Sequence, residues 1–165
     1  MNKQTQKTMF SSKSKEWGTP QHFFDKLNEQ FGPFTLDPCA NTSNYKVPKY
    51  YTENDNGLTQ DWRGHTVFVN PPYGRGIKDW IEKAYKESLA PDTKVVMLIP
   101  ARTDTKYWHE YVMKANSIYF VKGRLKFGNG ENSAPFPSAV IVFEGVKRHL
   151  QDSFAYSDFP KIGVI

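Results

Sequence analysis

Four short, nearly continuous apolar runs along the chain predict buried strands. They are TVFV at 66–69, KVVMLIP at 94–100, SIYFV at 117–121 and SAVIVF at 138–143. Unbroken apolar strands are typical of a sheet that is covered on both faces. A weaker strand, FTLD at 34–37, is predicted ahead of them and stops at Pro38.

Apolar residues between these runs recur with helical spacing and predict three amphipathic helices. The first has Thr19 as its expected N-cap, Pro20 as its first helical residue and Gly32 as its end. The predicted buried faces are Phe23, Phe24, Leu27 and Phe31 in the first helix, Ile77, Trp80, Ile81, Ala84 and Leu89 in the second, and Tyr107, Trp108, Tyr111, Val112 and Ala115 in the third.

Three stretches show little periodicity. Residues 1–15 are polar and carry lysines, so we expect a flexible basic arm, with 16–165 as a single domain. Residues 41–63 are polar and turn-rich, with at most a short strand at 50–52. No strong pattern follows Phe143.

Helices that alternate with strands predict an α/β fold with a parallel sheet. In such sheets ligands bind at the carboxyl ends of the strands. Three segments leave those ends: NPPYGRG after Val69, PARTDTKYW after Ile99, and KGRLKFGNGENSAPFPS after Val121. We therefore expect these segments to meet at one edge of the sheet.

Composition narrows the class of protein. With 165 residues, 38% hydrophobic and 15% aromatic, the chain is long and apolar enough for one sizeable core. No apolar run approaches a membrane span or the centre of a signal peptide, and the single cysteine fits a reducing cytoplasm. Four histidines and one cysteine lack metal-ligand spacing, so no structural metal is expected.

The net charge of +5 is concentrated in one window. Residues 94–126 hold seven basic residues and two acidic ones, so the remainder of the chain is balanced. Most of this surplus follows the predicted carboxyl ends. That placement favours a nucleic-acid surface over the alternative, a solvated lysine-rich face.

The first of the three segments begins with Asn70-Pro71-Pro72-Tyr73. Together with EWGTP, FTLDPCA, VVMLIPARTDTKYW, KGRLKF and SAPFPSAVIVF, in chain order, this motif resembles the phage-type DNA N-6-adenine methyltransferases from about Glu16 to Phe143. The alternative for the two prolines is a simple strand terminator.

The resemblance implies a Rossmann-like class I methyltransferase fold, with a mostly parallel sheet, an antiparallel last strand and helices on both faces. It implies transfer of a methyl group from S-adenosylmethionine to N6 of a flipped-out adenine in double-stranded DNA. The expected setting is the cytoplasm of a bacterial or phage-infected cell, with the protein a monomer or homodimer. The target sequence and the presence of a restriction partner stay open.

The motif suits this chemistry for a physical reason. The amine of adenine is a poor nucleophile because its lone pair is delocalised into the ring. The Asn70 side-chain oxygen and the Pro71 carbonyl can each accept one amino hydrogen, and proline fixes the direction of that carbonyl. Tyr73 offers a flat face to an extruded base.

Expected cofactor contacts follow from the resemblance. LDPCAN replaces the glycine-rich turn that the family normally has after its first strand, and the expected contacts to the methionine moiety are Asp37, Pro38, Cys39, Ala40 and Asn41. Trp17, Thr19 and Pro20 are expected near that moiety or the adenine. Glu53, with Asp55 as its rival, is the candidate for the ribose. Asp61 is expected at the cofactor adenine amine and Trp62 near its ring, with a core position as the alternative for Trp62.

Pro38-Cys39 also resembles the Pro-Cys nucleophile of cytosine C5 methyltransferases. That cysteine follows the strand that here carries Asn70, so we interpret Cys39 as a small residue that lines the cofactor pocket.

DNA contacts are expected from exposed cations at the active edge. The candidates are Arg75, Arg102, Lys106, Arg124 and Lys126. Phe127 and Phe136 are expected either to enter the gap or border the flipped base, or to pack in the core.

Three other functions stay open. The same motif occurs in RNA adenine methyltransferases and in protein glutamine methyltransferases, although the acidic-Gly-x-Gly-x-Gly turn of the latter is absent here. A non-catalytic, nucleic-acid-binding relic of a methyltransferase is the third alternative.

Overall fold

A computed structural model describes residues 18–128, 131–145 and 160–165. The expected arm at 1–15 and Trp17 lie outside these residues. The elements are α1 (Gln21–Phe31), β1 (Thr66–Val69), α2 (Ile77–Ser88), β2 (Lys94–Pro100), α3 (Lys106–Glu110), β3 (Ser117–Phe120), β4 (Ser138–Glu144) and β5 (Lys161–Val164). Single 3-10 turns lie at Gly57–Thr59 and Val112–Lys114. All four apolar runs form strands, with ends within one residue of the prediction.

The five strands form one mixed sheet in the order β1-β2-β4-β3-β5. β1 pairs with β2, and β3 with β5, in parallel, whereas β4 is antiparallel to both of its neighbours. β1, β2, β3 and β5 therefore share one direction. The carboxyl ends of β1, β2 and β3 lie at the same edge, which confirms the predicted convergence.

The prediction of an antiparallel last strand needs a correction. β4 is antiparallel, but β5 follows it in the chain and runs parallel to β3. β5 has only four residues, and three of them are exposed. Its sequence therefore lacks the long apolar run that predicted the other strands.

The predicted strand at 34–37 is present as extended backbone beside β1. Leu36 forms a single parallel bridge to Val67, and Asp37 forms another to Tyr50, within the short strand expected at 50–52. The Phe68 amide donates to the Leu36 carbonyl at 2.9 Å. This ladder places Asp37 at the carboxyl edge, next to the end of β1.

Helices cover both faces of the sheet, as expected. On one face, the Phe24 ring of α1 lies 5.1 Å from that of Phe68 in β1. On the other face, the Tyr85 ring of α2 lies 6.0 Å from that of Phe143 in β4. Phe143 pairs with Val95 and Phe68 with Val96, so these two rings point to opposite faces. None of the described helices is long and apolar enough to cross a membrane.

Helix ends differ from the prediction at three places. α1 begins at Gln21 with Pro20 as its N-cap, one residue later than expected, and the Thr19 side chain does not cap it. α2 ends at Ser88, which leaves Leu89 64% exposed instead of buried. α3 is only five residues long, and a 3-10 turn follows it.

Candidate active site

A cavity of about 220 Å³ lies at the carboxyl edge, beyond the end of β1. Its walls come mainly from four stretches, 18–19, 37–46, 52–57 and 70–73, with the rings of Phe68 and Trp80 added. The predicted motif therefore shares one cavity with the segment that follows the bridge at Leu36.

The Asn70 amide is held from both ends. Its Nδ2 donates to Thr19 Oγ1 at 2.9 Å, and the Tyr73 hydroxyl donates to its Oδ1 at 2.8 Å. Thr19 is buried, so the hydroxyl expected to cap α1 instead fixes this amide. The two contacts define which amide atom is the acceptor. An amide oxygen has two lone pairs and can accept more than one hydrogen bond.

Tyr73 is buried within an aromatic cluster. Phe127 and Phe136 meet its ring edge-to-face, at centroid distances of 6.1 and 5.4 Å. Burial raises the pKa of the Tyr73 phenol, so it stays protonated and acts as a donor to Asn70. Both phenylalanines are 4% exposed. They therefore pack in the core behind Tyr73 and do not project from the edge as wedges.

Asp37 supplies a buried carboxylate to the cavity wall. It is 3% exposed and accepts hydrogen bonds from the backbone amides of Cys39 at 3.3 Å and Lys46 at 3.2 Å. Burial raises its pKa from 3.8 to about 6, and those two bonds with the Lys46 charge oppose the rise. At neutral pH this carboxyl is ionised.

Cys39 lines the same wall, as expected, and has no disulfide partner. Burial, followed by the charges of Asp37 and Glu53, raises the pKa of its thiol. A thiol held in its protonated form is a poor nucleophile. This electrostatic setting supports the pocket-lining interpretation over the Pro-Cys nucleophile.

Glu53 lines the cavity, whereas its rival Asp55 does not. The Asp55 carboxylate accepts hydrogen bonds from the Thr52 amide at 2.8 Å and the Thr52 hydroxyl at 2.7 Å, and these bonds lower its pKa. Asp55 therefore closes the turn that presents Glu53.

Known proteins are similar to this chain in sequence. The family described as DNA N-6-adenine-methyltransferase (Dam) matches residues 6–151. The chain belongs to this family. It is similar to the DNA N-6-adenine-methyltransferase of Haemophilus phage HP1, with 32% identity over 135 residues and 78% of each chain covered. It is also similar to the DNA N-6-adenine-methyltransferase of Escherichia phage T1, with 29% identity over 110 residues, 66% of this chain and 45% of that protein.

Three expected cofactor residues of this Dam-family chain lie away from the cavity lining. Pro20 caps α1. Asp61 forms an exposed ion pair with Arg63 at 2.7 Å, because the two residues share a tight turn. Trp62 is fully buried, and its Nε1 donates to the Gly57 carbonyl at 2.9 Å, so the core alternative holds for it. Its neighbour Trp80, at 6.1 Å, supplies the aromatic wall instead.

Sequence reasoning missed several lining residues of the irregular stretch. They are Asn44, Lys46, Thr52, Asn56 and Gly57. The length of the stretch was the signal: a polar, turn-rich segment of 23 residues (41–63) without an α-helix or a full strand usually serves a function when it lies inside a folded domain. Position by position, the pattern carried no information about which residue faces the cavity.

The candidate DNA contacts of the family member lie on the carboxyl side of the sheet. Arg75, Lys106, Arg124 and Lys126 are exposed and Arg102 is half-buried. Two cations of the basic window belong to the opposite edge: Lys94 starts β2 and pairs with Glu144, and Lys114 precedes β3 and lies over the Tyr85 ring. Within the described parts of the chain, no cluster of histidine, cysteine and acidic side chains could hold a metal.

Proposed function

We propose that the protein transfers a methyl group from S-adenosylmethionine to N6 of a flipped-out adenine in double-stranded DNA. The observation that carries this proposal is the Asn70 amide, which Thr19 and Tyr73 orient in the wall of a cavity beyond a parallel strand. Family membership and the packing of helices on both faces of the sheet support it.

The donor set of the cavity suits S-adenosylmethionine. The cofactor carries an ammonium, a carboxylate, two ribose hydroxyls, an adenine ring and a sulfonium. Asp37 and Glu53 offer carboxylates for cations and hydroxyls, and the rings of Phe68 and Trp80 offer apolar surface for a base. When bound, the cofactor supplies an electrophilic methyl group on sulfur.

The residues of the motif act on the target amine. Asn70 Oδ1 and the Pro71 carbonyl accept its two hydrogens and turn the nitrogen lone pair toward the methyl. The Tyr73 hydroxyl keeps Oδ1 in place, and its ring supports the extruded base. Transfer would form a nitrogen–carbon bond at the expense of the sulfur–carbon bond of the cofactor, and one of the two amine hydrogens held by Asn70 Oδ1 and the Pro71 carbonyl would leave as a proton to water.

A methyl-transfer assay tests the proposal directly. Purified protein is incubated with tritiated S-adenosylmethionine and unmodified DNA, RNA or protein, and label on each polymer is counted. We expect label on DNA adenine. Asn70→Ala removes the acceptor and should lower the rate by about 10²- to 10³-fold, as for other preorganised polar contacts to a reacting group.

Asn54→Ala is the matched control, since Asn54 is exposed and outside the cavity. Native rates in a folded, cofactor-binding Asn70→Ala protein would contradict the mechanism. Label on RNA alone would favour the RNA enzyme, label on glutamine the protein-directed one, and absence of cofactor binding by calorimetry the non-catalytic relic.

A further inference from the structure

Lys46 is a charged residue of the cavity wall that the motif chemistry leaves without a role. Three described lining residues are charged: Asp37, Lys46 and Glu53. Two acidic residues and one lysine give this wall a formal net charge of −1. The cofactor carries one net positive charge, from an ammonium and a sulfonium against one carboxylate. The wall and the cofactor are therefore complementary in charge.

The fold keeps Lys46 close to Asp37. The Lys46 backbone amide donates to Asp37 Oδ2 at 3.2 Å, which fixes the two residues side by side on the wall. The Lys46 ammonium donates to Gln21 Oε1 at 3.0 Å and lies 6.0 Å from the Phe24 ring centroid. Burial lowers the pKa of Lys46, and the charges of Asp37 and Asp25 oppose this.

The partner of the Lys46 ammonium is thus a neutral amide. Among the described residues, none forms an ion pair with it. An ammonium has three donors, of which Gln21 takes one. A half-buried cation with a neutral partner, beside a buried carboxylate, is the arrangement that a zwitterionic ligand would complete.

Resting on the proposed function, we propose that Lys46 binds the carboxylate of the amino-acid end of S-adenosylmethionine while Asp37 binds its ammonium. Lys46 and Asp37 then contact both charged groups of the zwitterion and fix its orientation along the wall. Such a site disfavours a donor that lacks the carboxylate, because the half-buried ammonium would then keep only its neutral partner, Gln21.

Calorimetric binding of two ligands tests this role without relying on activity. The ligands are S-adenosylmethionine and its decarboxylated form, which keeps the amine, sulfonium and nucleoside and lacks only the carboxylate. Wild-type protein should prefer the intact ligand by about tenfold or more, as expected for a charge-assisted contact. Lys46→Met should shrink this preference to about twofold, since both ligands then lack the contact.

Lys49→Met is the matched control, because Lys49 is an exposed lysine whose ammonium lies 3.0 Å from His65 Nε2, outside the cavity lining. It should keep the wild-type preference, and so should Lys46→Arg, which retains the charge. If Lys46→Met does not fold, Lys46→Gln replaces it in the same comparison.

The outcomes separate this inference from the proposed function. A folded, uncharged variant at position 46 that keeps the preference for the intact ligand would overturn the role of Lys46 alone, as would wild-type protein that binds both ligands equally. Wild-type protein that binds neither ligand would overturn both proposals together.

Discussion

Thr19 shows how a single side chain can fit two local patterns that only the tertiary structure separates. A threonine before a proline and an amphipathic run is a normal helix start. Here the helix starts at Gln21, one residue later than expected, and the Thr19 hydroxyl accepts a hydrogen bond from the Asn70 amide across a separation of 51 residues. The sequence left a helix cap and a cofactor contact open for Thr19. The hydroxyl does not cap the helix, and the contact with the cofactor stays a prediction.

Asp37 gives a stability test at the residue scale. Its pKa of about 6 lies above the ordinary 3.8, so between these values the folded protein binds more protons than the unfolded one. Its contribution to the unfolding free energy therefore falls as pH rises from about 4 through 6 and levels off near pH 7. The total fall is on the order of 3 kcal/mol.

Asp37→Asn removes this titration. We measure the unfolding free energy by urea denaturation at several pH values from 4 to 7. The wild-type free energy should fall by about 3 kcal/mol more than that of the variant, because the other carboxyls contribute equally to both proteins. If the two unfolding free energies change in parallel across this range, burial does not raise the pKa of Asp37 as described.

At the scale of elements, the buried strands were predictable and the edge of the sheet was not. TVFV and KVVMLIP are continuous apolar runs because both of their faces are covered, and the structure places them within one residue of the prediction. β5 has an exposed face and a single long-range partner, so its four residues resemble a loop. The insertion of β4 between β2 and β3 depends on pairing, which composition does not encode.

The site follows the same division. Asn70 and Tyr73 stand in a motif whose chemistry can be stated from residue type alone. Lys46 and Gly57 sit in an irregular stretch, where no periodicity tells which side chain faces inward. Trp62 and Trp80 exchanged roles for a related reason, since an aromatic residue near a site fits the core and the ligand equally well.

Gly57 tests how the irregular stretch is held against the cavity wall. A Cβ there would lie 1.9 Å from the Pro38 carbonyl oxygen, and the Trp62 indole anchors the Gly57 carbonyl. Gly57→Ala must therefore displace the wall that carries Asp37 and Cys39. We expect a loss of about 1–3 kcal/mol in unfolding free energy, as for other overpacked sites, together with weaker cofactor binding.

Gly76→Ala is the matched control, since its added Cβ meets no atom within 4 Å and its φ of −79° suits any residue. Chemical denaturation and calorimetry of both variants make the comparison. Equal effects would show that lost glycine flexibility, and not the close approach to Pro38, controls the wall.

For the whole molecule, the direction of the strands determines on which side of the sheet the cations behind the net charge of +5 lie. Cations that follow β1, β2 and β3 lie on the side of the cavity, whereas those that precede strands lie on the other side. Arg124 and Lys126 are exposed on the cavity side and alternate with buried Leu125 and Phe127. The segment therefore presents its charges outward, while Phe127 packs against Tyr73. One segment thus links the aromatic support of the site to a surface for phosphates.

The salt dependence of DNA binding tests whether the cations on the cavity side of the sheet, and not those on the opposite side, contact phosphates. Each phosphate contact contributes about −0.9 to the slope of log K against log salt concentration. Arg124→Gln with Lys126→Gln should make the slope shallower by about 1.8 and weaken binding at low salt. Lys94→Gln with Lys114→Gln removes the same charge from the opposite edge and should leave the slope nearly unchanged. If both double variants change the slope equally, DNA binding depends only on the net charge. That result would contradict the carboxyl edge as the DNA-binding surface.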